Sequence, residues 1–468
     1  MFLLAACGGR SPSSTPVVIN PTTGLPYPTS TARPQPTPTR TPAPPTPTPD
    51  SVVSSPQWMR QFGSTGFDDV TALDVDASGN VYAVGTNAAP LTGELGTGIQ
   101  DSFVRKYNAS GALLWSRTIG TDGKDNATSV LVTPQGLIYV SGRTIGAFEW
   151  FTNPGGTDAF IAAYSPDGAL VWLRQFGSNE NDEATETDVD SAGDLYVIGY
   201  SSGAFPGVAD IGNEDIFVRK YSSAGEVLWT RQIAGEDHDS PGGIVVDRRT
   251  GTVYVAGALT PPHGAGAGEP GLRPFLSAYD PQGTELWTSS FGAVQERDDA
   301  WVTDLALAGG NLYSLGYING EFETTESLGG SDVFLRKFTL AGSTVWARQF
   351  GSELRDEGSA FHVDNDGTAY VVAYARGVVE GAVAEGDAGA EAGVFIRKYG
   401  ADGFVRWTRQ FLSTAFERAY AIAKDDAGNI YFGGSTQREV EAGMRAGGED
   451  AFIIKVVETR FGGSGQIR

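Results

Sequence analysis

The sequence predicts an all-β fold: a single seven-bladed β-propeller of four-stranded antiparallel blades, closed by its N-terminal strand, after a disordered Pro/Thr-rich stalk. Three observations predict it. A Trp-centred segment recurs seven times, two other segments recur in step with it, and the two ends of the repeat are cut out of phase. A fixed period carrying several short strand-like runs is the pattern of a propeller. Gly is abundant at 63 residues and aromatic residues make up 11%, which suits short strands joined by tight turns.

The chain opens on Phe2-Leu-Leu-Ala-Ala-Cys7, followed by Gly8-Gly9. Leu4-Ala5-Ala6-Cys7 resembles a bacterial lipobox, in which small residues precede a Cys whose thiol carries the lipid. The resemblance implies lipidation at Cys7 and an extracytoplasmic protein held to a cell membrane or surface. Only six residues precede Cys7, so the expected start of the signal lies upstream of Met1. Residues 1–7 are therefore read as a signal remnant.

Residues 8–56 are read as a linker. Residues 11–56 hold 14 of the 25 prolines, mixed with Thr and Ser. Such a segment buries no core and favours extended polyproline-like or disordered states. It is read as a spacer between a lipid and a globular body.

The propeller is expected over 57–456, with 457–468 as a tail. The anchor is Trp58, and its equivalents are Trp115, Trp172, Trp229, Trp287, Trp346 and Trp407, at spacings of 57, 57, 57, 58, 59 and 61. Tyr82 in N-V-Y-A-V-G recurs as Tyr139, Tyr196, Tyr254, Tyr313, Tyr370 and Tyr431. Phe103 in D-S-F-V-R-K-Y recurs as Phe160, Phe217, Phe275, Phe334, Phe395 and Phe452. Gly-bearing turns such as Asp76 to Asn80 and Asn108 to Gly111 separate the runs and signal hairpins. The first unit begins with a lone Trp strand, and the last ends without one. Residues 57–62 should therefore complete the last blade beside 451–456 and remove a sheet edge. An open solenoid would gain nothing from that offset.

The unit is similar to the SBBP family of bacterial β-propeller repeats. The residues that carry the likeness are Val75 to Gly85, Ala204-Phe205-Pro206, Gly329 to Phe334 and Gly447 to Phe452. Pro274-Phe275 and Phe411-Leu412 depart from the pattern. The resemblance implies a propeller of a bacterial envelope or secreted protein and implies no activity.

Charge excludes some partners. The net charge is −23, which repels a phosphate backbone, so no nucleic acid is expected. Membrane contact is expected through the lipid only. One cysteine forms no internal disulfide, and the three histidines are scattered far apart, so no zinc cluster or other cofactor is expected. Asp74 to Gly79 and Asp188 to Gly193 begin like calcium loops. A Gly stands where the bidentate Glu belongs (Gly85, Gly199), so they read as turns.

One acidic position recurs: Asp68, Asp125, Asp182, Asp239, Asp299, Asp356 and Glu417. It should lie in the loops circling the channel, on the face that also carries the long second-to-third-strand loops. Two readings stay open. The ring binds a cation such as Ca²⁺ or a basic partner, or each carboxylate caps backbone N–H groups of its own loop. A ladder is also expected between Asp101 and Arg117, Asp158 and Arg174, Asp215 and Arg231, Asp332 and Arg348, and, through closure, Asp450 and Arg60. Blade four loses both partners, as Arg273 and Ser289.

The functional expectation is a non-enzymatic envelope lipoprotein whose propeller binds or scaffolds a protein, peptide or glycan through its acidic long-loop face. The alternatives are a lyase or glycosidase with an acidic site at the channel mouth, and an envelope-assembly scaffold.

Overall fold

A computed structural model describes residues 51–53, 56–91, 93–205, 213–261, 271–292, 299–321, 327–387, 389–390, 392–415, 417–441 and 444–460. Cys7 and nearly all of the Pro/Thr-rich segment lie outside the described residues.

Seven antiparallel sheets of four consecutive strand positions form the propeller ring. Blade one runs from the channel outward as Asp68–Val75, Val81–Asn87, Asp101–Tyr107 and Leu113–Ile119. The two middle strands are buried along their whole length, whereas the outermost strand begins exposed. Each innermost strand carries a register shift, as between Val70 and Ala72. The bulge adds local twist.

The ring closes as the repeat phase predicts. Trp58–Phe62 pairs with the last strand, Asp450–Arg460, in the register Trp58↔Lys455 to Phe62↔Ala451. The last strand runs on past residue 456, and Ser51–Val53 pairs with its end, Ser51↔Arg460 to Val53↔Glu458. Blade six gains a fifth strand, Val383–Gly386, parallel to the outermost Val405–Leu412.

Blades dock through the outermost strand. Trp115 Nε1 donates to Pro166 O at 3.2 Å, and Arg117 Nε to Gly168 O at 2.7 Å, both in the turn of the next blade. The same arginine contact recurs from Arg60 to Gly111, Arg174 to Gly225, Arg231 to Gly283 and Arg348 to Gly403. Gly168 sits at φ +79°, and a Cβ there would lie 2.9 Å from the Trp115 ring. Only Gly meets both demands.

The expected Asp–Arg ladder is therefore corrected. Its arginines serve the blade interface, Asp101 accepts the N–H of Thr97 at 3.0 Å, and the other four aspartates are held by the glutamine that follows the arginine. Gln175 Nε2 donates to Asp158 at 2.8 Å, Gln232 to Asp215 at 2.7 Å, Gln349 to Asp332 at 2.7 Å and, through closure, Gln61 to Asp450 at 2.8 Å.

Candidate functional site

The acidic position opens the innermost strands. Asp68, Asp125, Asp182, Asp239 and Asp356 are buried there. Each turns back into its own loop. The backbone N–H of Ser64 donates to Asp68 at 2.6 Å, Thr121 to Asp125 at 2.8 Å, Ser178 to Asp182 at 2.7 Å, Gly235 to Asp239 at 2.5 Å and Ser352 to Asp356 at 2.6 Å. The hydroxyls of Ser64, Thr121, Ser178 and Ser352 add a second bond. Burial raises the pKa of all five, and Asp239 and Asp356 reach about 6.

Blades five and seven differ. In blade five the structural position is taken by Ala300, whose N–H bonds Leu272 O just as Asp125 N–H bonds Gln100 O. Asp299 stands one residue earlier and accepts Leu272 N–H at 2.9 Å. The reason is a shorter turn. Leu307 pairs with Leu312 where Val75 pairs with Val81, so counting back from Tyr313 overshoots by one. Glu417 is half-buried and lies 3.7 Å from Arg438. Among the described residues, no three His, Cys, Asp or Glu side chains come together in a way that would hold a metal ion.

The central channel holds a cavity of about 630 Å³ walled by all seven innermost strands. Its acids are different ones. Asp74 accepts Val132 N–H at 2.6 Å, Glu186 accepts Ile244 N–H at 3.1 Å, Asp188 accepts Val246 N–H at 2.8 Å and Asp304 accepts Phe361 N–H at 3.1 Å. Every one of these bonds crosses to the next blade and satisfies an inner sheet edge. The Thr71 and Thr128 hydroxyls do the same for Ala127 O and Ala184 O. Burial pushes Asp74 up to about 6. It also raises Glu186 and Asp304, and the charge of Asp304 raises Glu186 further. Sequence reading placed Asp74 and Asp188 in turns. Asp76 and Asp190, two residues further on, are the ones that cap the turns, accepting Ser78 N–H and Ala192 N–H.

At the loop-face mouth of the channel, charges are paired. Arg143 meets Glu183 at 2.9 Å, and Tyr200 donates to the same carboxylate at 3.1 Å. Glu357 is held by Arg355 at 2.6 Å and Arg418 at 3.2 Å. Trp301 stacks on Tyr317 with centroids 4.9 Å apart.

Loops around blades one and two also expose apolar side chains that sequence reading missed. Phe67, Leu95, Ile99, Ile145 and Trp150 are 68%, 89%, 67%, 49% and 90% exposed. Ile99 N–H bonds Gly123 O and Ile145 N–H bonds Lys124 O, so the two isoleucines flank one interblade segment. Trp150 has φ 74°, a left-handed conformation that bulky residues rarely adopt. Its loop is fixed from below. Phe148 is buried against Phe160 at 5.5 Å, its N–H bonds Gln175, and Phe151 N–H closes a turn onto Phe148 O. Exposed aliphatics also precede each outer-strand Trp from blade one to blade five, such as Leu114, Val171 and Leu228. Those repeat around the rim, whereas Trp150 has no counterpart among the exposed residues of the other described loops.

No protein-family model matches the chain. Regulatory protein FlaEY of Caulobacter vibrioides is 25% identical over 429 residues, covering 80% of this chain and 43% of FlaEY. The uncharacterized WD repeat-containing protein L264 of Acanthamoeba polyphaga mimivirus is 27% identical over 152 residues, covering 26% of this chain and 11% of L264. The chain thus spans less than half the length of the curated relatives it matches. Among solved structures, Raptor of Chaetomium thermophilum has a TM-score of 0.51 at 8% identity, covering 87% of this chain and 29% of that one. What that structure shares with this chain is the fold alone.

Proposed function

We propose that the chain is a non-enzymatic cell-envelope lipoprotein whose propeller binds a protein or peptide through its long-loop face. The observation that carries the reading is Trp150, exposed in a strained backbone conformation that its own loop holds in place. Strain of that kind gathers at functional positions. Trp is among the residues most enriched at the energetic hot spots of protein interfaces. The lipobox-like Leu4 to Cys7 and the proline-rich spacer support the envelope setting. The channel carboxylates and the six aspartates of the acidic ring are engaged with backbone N–H groups, which supports binding over catalysis.

The test is a pull-down from envelope fractions with the full chain, compared with a Trp150→Ala, Ile145→Ala double variant. A partner retained by the parent and lost by the variant supports the reading. Equal capture overturns it. Membrane partition of the protein should be lost in Cys7→Ser.

One observation favours a second reading. Glu186 and Asp304 raise the question of an acid–base pair in the channel, since both resist ionisation there. Turnover of a glycoside or uronide substrate that is abolished by Glu186→Gln would establish that reading.

A further inference from the structure

Two aspartates meet where the chain passes from one blade to the next. One opens a third strand, and the other opens the innermost strand of the following blade. Asp158 meets Asp182 between blades two and three, Asp332 meets Asp356 between blades five and six, and Asp450 meets Asp68 where the ring closes. All six are buried, Asp158 to 1% exposure and Asp182 to 0%. A glycine lets them converge. A Cβ built on Gly177 would lie 2.5 Å from Asp182 Oδ2 and 2.7 Å from Asp158 Oδ1. A Cβ built on Gly63 would lie 2.8 Å from Asp68 Oδ2 and 2.7 Å from Asp450 Oδ1.

The oxygens of these carboxylates are unequally served. Asp158 accepts Gln175 Nε2 on Oδ2, and Asp182 accepts Ser178 N–H on Oδ2. Asp158 Oδ1, Asp182 Oδ1, Asp332 Oδ1 and Asp68 Oδ1 are buried and have no hydrogen-bond partner among the described residues. Asp158 Oδ1 is the oxygen turned towards Asp182 over Gly177. A buried carboxylate oxygen without a donor is rare in folded proteins and calls for a cation or a proton. Burial raises the pKa of Asp158 and Asp356, and the facing charges of Asp182 and Asp332 raise them further. Arg219, whose charge is felt at Asp182, is held by Thr230 Oγ1 and lies over the rings of Phe176 and Phe205.

We propose that these passages bind Ca²⁺, with Asp158 and Asp182 as the principal site. Two carboxylates neutralise one divalent cation, and an all-oxygen donor set selects a hard one. Ca²⁺ accepts irregular geometry, which suits oxygens fixed by two different blades, whereas Mg²⁺ demands a near-ideal octahedron. Ser201 pairs with Asp182 across the strands and directs its hydroxyl proton to Gly203 O at 2.6 Å, so its oxygen faces the site as a neutral donor. The bound ion ties the third strand of one blade to the innermost strand of the next and locks the seam from within. The inference does not rest on the Trp150 reading.

The experiment is equilibrium dialysis of the full chain, stripped with EDTA, against radioactive calcium from micromolar to millimolar concentration, beside thermal melts with and without the ion. Saturable binding and a rise in melting temperature are expected, with Mg²⁺ giving less of both. Asp158→Asn keeps an acceptor for Gln175 and should weaken binding at its passage about tenfold or more. Asp332→Asn repeats the test between blades five and six, so a single misfolded variant does not decide the matter. Asp167→Asn removes the same charge from an exposed turn and should leave binding unchanged. No bound ion at millimolar Ca²⁺ overturns the proposal. So does equal weakening by Asp167→Asn and Asp158→Asn, the mark of a diffuse ion atmosphere around an acidic chain. A parent indifferent to Ca²⁺ that Asp158→Asn stabilises at about pH 8 overturns it too, because the pair then shares a proton.

Discussion

At the scale of single residues, one chemistry recurs in this chain: a carboxylate accepting backbone N–H groups. Asp68, Asp125, Asp182, Asp239 and Asp356 do this within their own loops, and the channel carboxylates do it across blades. Asp182→Ala should cost about 1–3 kcal/mol by orphaning Ser178 N–H. Asp182→Asn keeps an acceptor and should cost less, as chemical denaturation of both variants would show. Repeating the melts with millimolar Ca²⁺ checks the cation reading, since a rise in melting temperature that Asp182→Asn removes would assign the ring to a cation. The raised pKa values also fix a pH dependence. Asp74, Asp239 and Asp356 reach about 6 in the fold, above an unfolded value near 3.9. The folded state therefore binds more protons between those values, and stability rises as pH falls from about 7 towards 4. Asp356→Asn should remove on the order of 2 kcal/mol of that rise, read as a flatter plot of melting temperature against pH. The repeat of these acids was legible in the sequence, but their direction was not, because an offset from a tyrosine counts residues and not orientation. The cue was nonetheless present, since Ser64, Thr121, Ser178 and Ser352 stand four residues before their aspartates, the spacing of a side chain capping its own loop.

At the scale of the strand, the outermost segment W-x-R-Q-F divides its work by parity. Successive side chains of a strand point to opposite faces. Gln175 pairs with Phe160, which shares its face with Asp158, whereas Arg174 pairs with Ile161 on the other face. That parity explains why co-occurrence of Asp and Arg suggested a ladder that does not form. Both residues belong to one docking machine but serve different neighbours, the arginine the next blade's turn and the aspartate its own blade's loop. The seven strand quartets, the Gly turns and the Trp spacing were all readable, because hydrogen-bond register and positive-φ turns leave direct marks on composition. The exposed Trp150 left none, since its long loop follows no repeat. The clasp can be tested at Gln175. Gln175→Ala removes the bonds to Phe148 N–H, Gly146 O and Asp158 and should cost about 1–3 kcal/mol. Amide exchange across residues 146–157 should accelerate more than exchange in the middle strands, because local opening follows loss of local anchoring. Uniform acceleration throughout the blade would show that the glutamine stabilises the sheet and not the loop.

At the scale of the whole molecule, the ring is held shut by residues almost four hundred positions apart. Trp58–Phe62 belongs to blade seven by hydrogen bonding and to blade one by packing. Phe62 lies 5.4 Å from Phe103, and the Arg105 guanidinium sits 4.3 Å from the Phe62 ring. Trp58 Nε1 donates to Ala109 O, and Arg60 Nε to Gly111 O, in the turn of blade one. Gln61, 1% exposed, clamps Asp450 and accepts the N–H groups of Val440 and Glu441. Removing this strand would reopen a sheet edge, orphan Asp450 and uncover the Phe62 site in one step. Burial of a core Phe alone is worth about 3–5 kcal/mol, so deletion of residues 1–64 should cost about 5 kcal/mol or more. Deletion of residues 1–50 removes none of these contacts and should leave the melting temperature unchanged. Deletion of residues 1–55 removes only the short pairing of Ser51–Val53 with Glu458 to Arg460 and should fall close to the 1–50 variant. The three truncations are compared by thermal melts and by urea denaturation, whose slope reports the surface exposed on unfolding. A smaller slope for the 1–64 variant would show blade seven already unravelled in its folded state. Equal midpoints and slopes for all three would mean that the ring does not depend on this strand.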